Sequence, residues 1–272
     1  MNERDLMLTT ILKCRPVDLA ADPPSLTRQQ KNALSRMQAR RAAGEPLQYI
    51  VRSCDFMGIE LTVDLRALIP RPETEILVEQ ALDRAKTMTP HKKLRILDLG
   101  TGSGNIAIAL AKHLPNCSVT AIDIDPRALT LARRNAAASG VASALTFRRG
   151  DMAAFLDRAA QDQKQYDIII SNPPYITTSQ LPHLPMDVRF EPRAALDGGV
   201  DGLKFYREII ARAFHCIRPG GYLLLEIGDG QSKDIERIFT SHGQYQRLNF
   251  MKDYVGTPRI VCARIKGTSE NG

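Results

Sequence analysis

Ser171-Asn172-Pro173-Pro174-Tyr175 puts an amide, two φ-locked rings and a phenol on one short stretch of chain. Proline fixes its own φ and biases the residue before it toward extended backbone, so this stretch forms a rigid turn entered by Asn172. In such a turn the Asn172 side-chain carbonyl and a backbone carbonyl can accept both hydrogens of a single NH₂ group. Tyr175 can stack on the planar group that carries it. An amide nitrogen shares its lone pair with its own carbonyl and is a poor nucleophile. Two acceptors on its hydrogens raise its electron density and hold it in line with a methyl group carried by a sulfonium. No strong base is needed beforehand, because the proton becomes acidic only as the methyl arrives. Positioning supplies about 7–11 kcal/mol of barrier reduction against about 0.5–1.5 for a neutral hydrogen bond, so alignment is the main contribution. The face of Tyr175 adds a modest attraction for the sulfonium charge. Asn172, Pro173, Pro174 and Tyr175 are therefore the candidate catalytic residues. The alternative, a rigid loop without chemistry, is weakened by a second motif upstream.

That motif is Asp98-Leu99-Gly100-Thr101-Gly102-Ser103-Gly104-Asn105, a Gly-x-Gly-x-Gly turn between a strand and a helix. Glycine permits positive φ and lets backbone approach a ligand where a Cβ would collide. The turn lacks the Gly-Lys-Ser/Thr ending of a phosphate-binding loop and departs from the dinucleotide spacing. One βα unit later, Asp123 ends a second strand, where a carboxylate can accept two hydrogen bonds from ribose hydroxyls. Asp125, ahead of Pro126, reads better as a helix N-cap. Gly150-Asp151-Met152 follows a third strand, from which an acid and an apolar side chain can bracket an adenine; a helix cap explains Asp151 equally well. Gly100, Thr101, Gly102, Ser103, Gly104, Asp123, Asp151, Met152 and Asn172 form the candidate cofactor-binding set. Together the two motifs suit S-adenosylmethionine.

These residues need a frame that brings several strand ends to one rim. Strands are expected at 94–98, 118–123, 145–149, 166–171 and 222–226, with helices at 105–113, 126–139, 152–160 and 203–214. This alternation predicts an α/β domain with a mainly parallel, doubly wound sheet covered by helices on both faces. Runs at 245–250 and 259–265 read as an antiparallel edge pair. Ahead of them, residues up to about 45 read as short helices, broken at Asp22-Pro23-Pro24, with Ser25 or Thr27 as a cap. From Gln48 the runs YIVRS and IELTV read as strands about a turn at Met57-Gly58, and a helix is expected over 74–88.

Across 272 residues, 43% are hydrophobic and 25% charged, and no apolar stretch approaches a membrane span. No leader is visible at the N-terminus, which suggests a cytoplasmic protein. Five scattered cysteines and five dispersed histidines form neither a disulfide framework nor a metal ligand set, so no metal is expected. A net charge of +7 and pI near 9.3 suggest an anionic partner, nucleic acid or acidic protein. Arg28, Lys31, Arg36, Arg40 and Arg41 form a basic helical stretch without nearby acids, either a contact patch or a solvated face.

The chain resembles the HemK/PrmC family of release-factor glutamine methyltransferases. Residues carrying the resemblance include Gly44 to Ile50, Phe56-Met57-Gly58, the PRPETE run Pro70 to Glu75, Asp98 to Ala107, Ser171 to Ile176, Phe190-Glu191-Pro192-Arg193, Gly199 to Leu203 and Leu225 to Gly228. The NPPY element is shared with DNA adenine methyltransferases, but its combination with PRPETE and FEPR is far more specific. The resemblance implies a class I, Rossmann-like methyltransferase domain at 73–272, a helical partner-binding domain at 1–46 and a β-hairpin linker at 47–72. It further implies methylation of the glutamine in the Gly-Gly-Gln tip of class 1 peptide chain release factors, with S-adenosylmethionine held by Gly100 to Gly104 and Asp123 and the glutamine by Asn172 to Tyr175. Met152 matches a position near the adenine that is often aromatic in relatives. Neither a stable nucleic-acid complex nor a membrane is expected. Two alternatives are an adenine exocyclic-amine methyltransferase, against which stands the lack of an extended basic, aromatic recognition region, and a cofactor-binding regulator without catalysis. Glu73 reads as a pocket-mouth acid, a cap or a partner of Arg71; Glu226 reads as structural.

Overall fold

The computed structural model describes residues 2–21, 25–88 and 93–267, so the Asp22-Pro23-Pro24 break lies outside it. Helices α1 (Glu3–Leu12), α2 (Pro16–Ala21) and α3 (Arg28–Ala42) open the chain. Asn2 caps α1, its side chain accepting the Asp5 N–H at 2.9 Å. At α3, the Thr27 hydroxyl accepts the Gln30 N–H at 3.3 Å while the Gln30 side chain accepts the Thr27 N–H at 2.9 Å. This reciprocal box gives the cap to Thr27 rather than Ser25. Met7, Leu8 and Leu34 are buried between these helices and pack with Leu47 and Val51.

Leu47 and Val51 belong to α4 (Leu47–Val51), where the sequence suggested a strand. Residues four apart share one helix face. Helical winding therefore turns both toward the N-terminal core while Tyr49 and Ile50 are buried on their own account. The Tyr49 hydroxyl donates to the Ala67 carbonyl at 2.7 Å, tying α4 to the segment that follows. A short hairpin, β1 (Cys54–Phe56) and β2 (Ile59–Leu61), turns through Met57 and Gly58, both at positive φ. Only glycine adopts that backbone freely, and the Met57 N–H is held by the Glu75 carboxylate at 2.7 Å.

The remaining elements are α5 (Pro72–Thr87), β3 (Leu94–Leu99), α6 (Asn105–His113), β4 (Cys117–Asp123), α7 (Pro126–Ala138), β5 (Leu145–Arg149), α8 (Met152–Gln161), β6 (Tyr166–Ser171), α9 (Lys204–Ala213), β7 (Ile217–Glu226), α10 (Ser232–Thr240), β8 (Tyr245–Lys252) and β9 (Pro258–Ile265). Seven strands form one sheet in the order β5-β4-β3-β6-β7-β9-β8. The pairs from β5 to β7 are parallel, whereas β9 runs antiparallel to both β7 and β8.

Period-two alternation sorts the strands' side chains into two cores. Ile96, Ile168, Ile170 and Leu224 face α5 and α6; Leu97, Ile169, Leu223 and Leu225 face α8, α9 and α10. Each fully buried Leu or Ile contributes about 1.5–3 kcal/mol, which makes the central strands the rigid part of the molecule. The chain reverses direction across the sheet between β3 and β6, and a crevice opens at the carboxyl ends of such strands. Among the described residues, no helix is long and apolar enough to cross a membrane.

Candidate active site

At the end of β3 the Gly100 and Thr101 N–H groups both donate to the Ile122 carbonyl, at 2.9 and 2.8 Å. These bonds bend the chain sharply around the tip of β4, and Gly100, Gly102 and Gly104 take φ of 77, 55 and 87°. A Cβ on Gly104 would lie 3.1 Å from that of Ala132, so glycine is also what lets α6 approach α7. Asn135 braces the turn from α7: its Nδ2 donates to the Ser103 and Thr62 carbonyls, each at 2.9 Å.

Asp123 lines the cavity beside this turn, and its carboxylate has partners within the chain. Oδ2 accepts the Gly102 N–H at 2.8 Å and Oδ1 accepts the Asp125 N–H at 2.9 Å. Each oxygen keeps a second acceptor site, so bracing the loop and accepting from a ligand are compatible. Burial raises its pKa, and the N–H groups of Asp125 and Gly102 oppose this. Asp125 caps α7 through the Arg127 N–H at 2.8 Å. Asp151 caps α8, accepting the N–H groups of Ala153 and Ala154 at 3.0 Å. Both Asp151 and Met152 border the same cavity, and the Met152 methyl sits where a Cβ on Gly100 would meet it at 2.6 Å.

The reactive turn leaves β6 beside β3. Leu99 pairs with Ser171, whose hydroxyl donates to the Leu99 carbonyl at 2.7 Å, fixing the next residue, Asn172, against the glycine turn. A cavity of about 450 Å³ connects the two motifs, lined by Gly100 to Ser103, Asp123, Asn172 and Pro174. Pro173 and Tyr175 are not among its lining residues, and Tyr175 packs against the core on the side of α8, α9 and α10. Tyr175 is enclosed by glycines: a Cβ on Gly198 would come within 2.7 Å of its Cα, and one on Gly228 within 2.9 Å of its ring. Gln231 donates to the Tyr175 carbonyl at 3.1 Å, and burial pushes the phenol up to about 12, so it stays protonated. Asn172 donates its Nδ2 to the Thr74 hydroxyl at 3.1 Å.

Two family models match this chain: a methyltransferase domain over residues 90–257 and a PrmC N-terminal domain over residues 2–51. A release factor glutamine methyltransferase of Moorella thermoacetica is 44% identical over 82% of this chain and 76% of its own length. One from Salmonella typhimurium is 42% identical over 93% of this chain and 87% of its own. The chain belongs to the release factor glutamine methyltransferase family. A solved methyltransferase from Pyrococcus furiosus shares its fold, with a TM-score of 0.55 at 21% identity over 86% of this chain and 99% of that one.

As a member of this family the chain is an S-adenosylmethionine-dependent methyltransferase, and the cavity fits that cofactor. At Gly102 the turn leaves room: a Cβ there would meet only Ala67, at 3.8 Å. Behind it the Asp98 carboxylate and the Thr101 and Ser103 hydroxyls are buried, with no partner at full hydrogen-bond geometry among the described residues. Burial raises Asp98 to about 7; the nearby Thr101 hydroxyl and Ala107 N–H oppose the rise and the Asp123 charge adds to it. When bound, S-adenosylmethionine supplies an electrophilic methyl on sulfur. Asp123, Met152 and Asn172 all line the cavity that would receive it.

Four residues of this methyltransferase's site escape a purely local reading. Arg71 does not pair with Glu73; its guanidinium meets Glu191 of the FEPR run, whose other oxygen accepts the Ile69 N–H at 3.0 Å. Thr74 lines the cavity, and its hydroxyl donates at 2.6 Å to Glu226, which is 2% exposed. PRPETE and FEPR were visible as motifs, but their partners lie on other elements. The basic stretch of α3 also needs correction, because acids do approach it. Arg40 pairs with Glu45 at 2.7 Å and Arg41 with Glu3 at 2.9 Å, both drawn from outside the helix.

Proposed function

We propose that this methyltransferase acts on the side-chain amide nitrogen, N5, of the glutamine in the Gly-Gly-Gln motif of class 1 peptide chain release factors. The observation that carries the reading is the orientation of Asn172. Its Nδ2 is engaged by Thr74, which leaves Oδ1 as the acceptor for a substrate NH₂ group. A primary amide presents that group in a plane matched to a rigid turn, and the names of the relatives point to the same substrate. The helical segment at 1–46 binds the partner, 47–72 links it, and 73–272 carries the chemistry. Asn172 to Tyr175 form the reactive turn, and Gly100 to Gly104, Asp123, Asp151 and Met152 hold the cofactor. Such an enzyme works in the cytoplasm, where translation ends, without a stable nucleic-acid complex or a membrane.

Incubation with methyl-labelled S-adenosylmethionine and a release factor is expected to label the wild-type factor and leave its Gln→Ala variant at that motif unlabelled. Label on an adenine-containing duplex in place of the factor would overturn the reading.

A further inference from the structure

The amide of Asn172 can work as an acceptor only if it is held one way round. Flipped, it would offer NH₂ to an NH₂, a donor facing a donor. Asparagine oxygen and nitrogen are told apart by their hydrogen-bond partners, and here the partners form a directed chain. A threonine hydroxyl has one hydrogen. That of Thr74 is committed to the Glu226 carboxylate at 2.6 Å, the short distance of a charge-assisted bond. Its lone pairs alone then face Asn172, and they accept Nδ2 at 3.1 Å.

We propose that Glu226 and Thr74 are positioning residues that lock the Asn172 amide with Oδ1 toward the substrate nitrogen. Neither residue touches the reacting atoms; the carboxylate sets the direction of the hydroxyl and itself attracts the Asn172 amide hydrogens, and the hydroxyl accepts Nδ2. The arrangement also accounts for a nearly inaccessible carboxylate at the end of β7. Burying a charge is costly unless it is hydrogen-bonded, and here the bond comes from Thr74 on α5, beside the reactive turn. The anchor is itself fixed, because the Glu226 backbone carbonyl accepts the Tyr206 hydroxyl at 3.0 Å from α9. Thr74 sits in the first turn of α5, after Pro72. Three elements, α5, β6 and β7, thus converge on one amide. The inference rests on the proposed reading of the substrate as a primary amide.

Thr74→Val removes the hydroxyl at nearly constant shape, and Thr74→Ser restores it. With a release factor as substrate, Thr74→Val is expected to lower kcat about 10²-fold, the scale of a small misplacement of a reacting group. KM and cofactor affinity should stay within about 2-fold on the same argument, and Thr74→Ser should recover most of the loss. Selective ¹⁵N labelling of asparagine gives a second readout that needs no substrate. The Asn172 NH₂ hydrogens should exchange slowly with solvent in the wild type and in Thr74→Ser, and quickly in Thr74→Val. Rapid exchange in the wild type, or equal kcat in Thr74→Val and wild type, would overturn the lock. Failure of the wild type to label any release factor would instead overturn the substrate reading, and the exchange measurement would still decide the lock.

Discussion

Glu191 accepts the backbone N–H of Ile69 at 3.0 Å across 122 positions of chain, and its other oxygen meets the Arg71 guanidinium. The carboxylate clasps the segment ahead of α5 to the loop that follows the reactive turn, closing one wall of the cavity. Glu191→Ala is expected to cost about 1–3 kcal/mol, the usual result of leaving a buried N–H without its acceptor, and to weaken cofactor binding. Urea denaturation and calorimetric titration of the same variant test both effects. Unchanged stability would remove the clasp.

Asp123→Ala removes two internal braces, on Gly102 and Asp125, and, on the proposed reading, the acceptor for the cofactor's ribose. We expect S-adenosylmethionine affinity to fall about 10- to 100-fold, roughly 1.4–2.8 kcal/mol, with the fold intact by circular dichroism. Calorimetry showing wild-type affinity in a folded variant would take Asp123 out of the cofactor site.

Asn172→Ala should keep cofactor binding and lose about 10²- to 10³-fold in turnover, the scale for removing one preorganised polar group. Single-turnover transfer separates this from slow product release. Near-normal turnover would end the assignment of Asn172 as the amide acceptor.

Opposite pH trends for stability and turnover follow from the buried acids. Burial raises Glu226 from 4.5 to about 7; Thr74, Arg259 and Asn172 oppose the shift and Glu73 adds to it. The phenols of Tyr175 and Tyr206 also feel its charge. Asp98 rises from 3.8 to about 7. Between about pH 5 and 7 the folded chain holds protons that the unfolded chain has released, so stability falls as pH rises through that window and levels off above it. Ionised Glu226 is the form that commits the Thr74 hydrogen, so kcat should rise over the same range. Denaturant midpoints and kcat measured in parallel from about pH 5 to 8 test the pairing, and turnover flat across the window would refute it.

Arg28, Lys31 and Arg36 remain as the candidate contact face of α3, since Arg40 and Arg41 are engaged by Glu45 and Glu3. Reversing the three charges should slow association with a release factor and flatten its salt dependence, because exposed charges are screened over about 8 Å at physiological ionic strength. Stopped-flow association rates across a salt series provide the measurement. Identical slopes would make the face a solvated one. Deleting residues 1–45 is the blunter test, because it strips Met7, Leu8 and Leu34 from Leu47 and Val51.

The sheet from Leu94 onward was legible because helices on both faces force central strands to be apolar throughout, as in Ile168-Ile169-Ile170. The two loops at its rim were legible because glycine and proline advertise backbone shape. Helix α10 was not anticipated; Ile235, Ile238 and Phe239 carry its apolar face among charged neighbours. The Tyr49-Ile50-Val51 run misled by its β-forming residue types, and helical packing against the N-terminal core decided otherwise. Arg71 shows the deeper limit. Glu73 is near in sequence, but the partner that folding supplies is Glu191, 120 positions away.

The bond between Thr74 and Glu226 spans 152 positions, and this separation has a consequence in time. At roughly 5–20 residues per second, a ribosome adds Glu226 roughly 8–30 s after Thr74. Through that interval the first helices can already settle, since their contacts close by Val51. Asn172 meanwhile lacks the carboxylate that orders its neighbour. On the proposed lock, the reactive turn therefore reaches its working geometry only once Glu226 has been made, well after Asn172 itself.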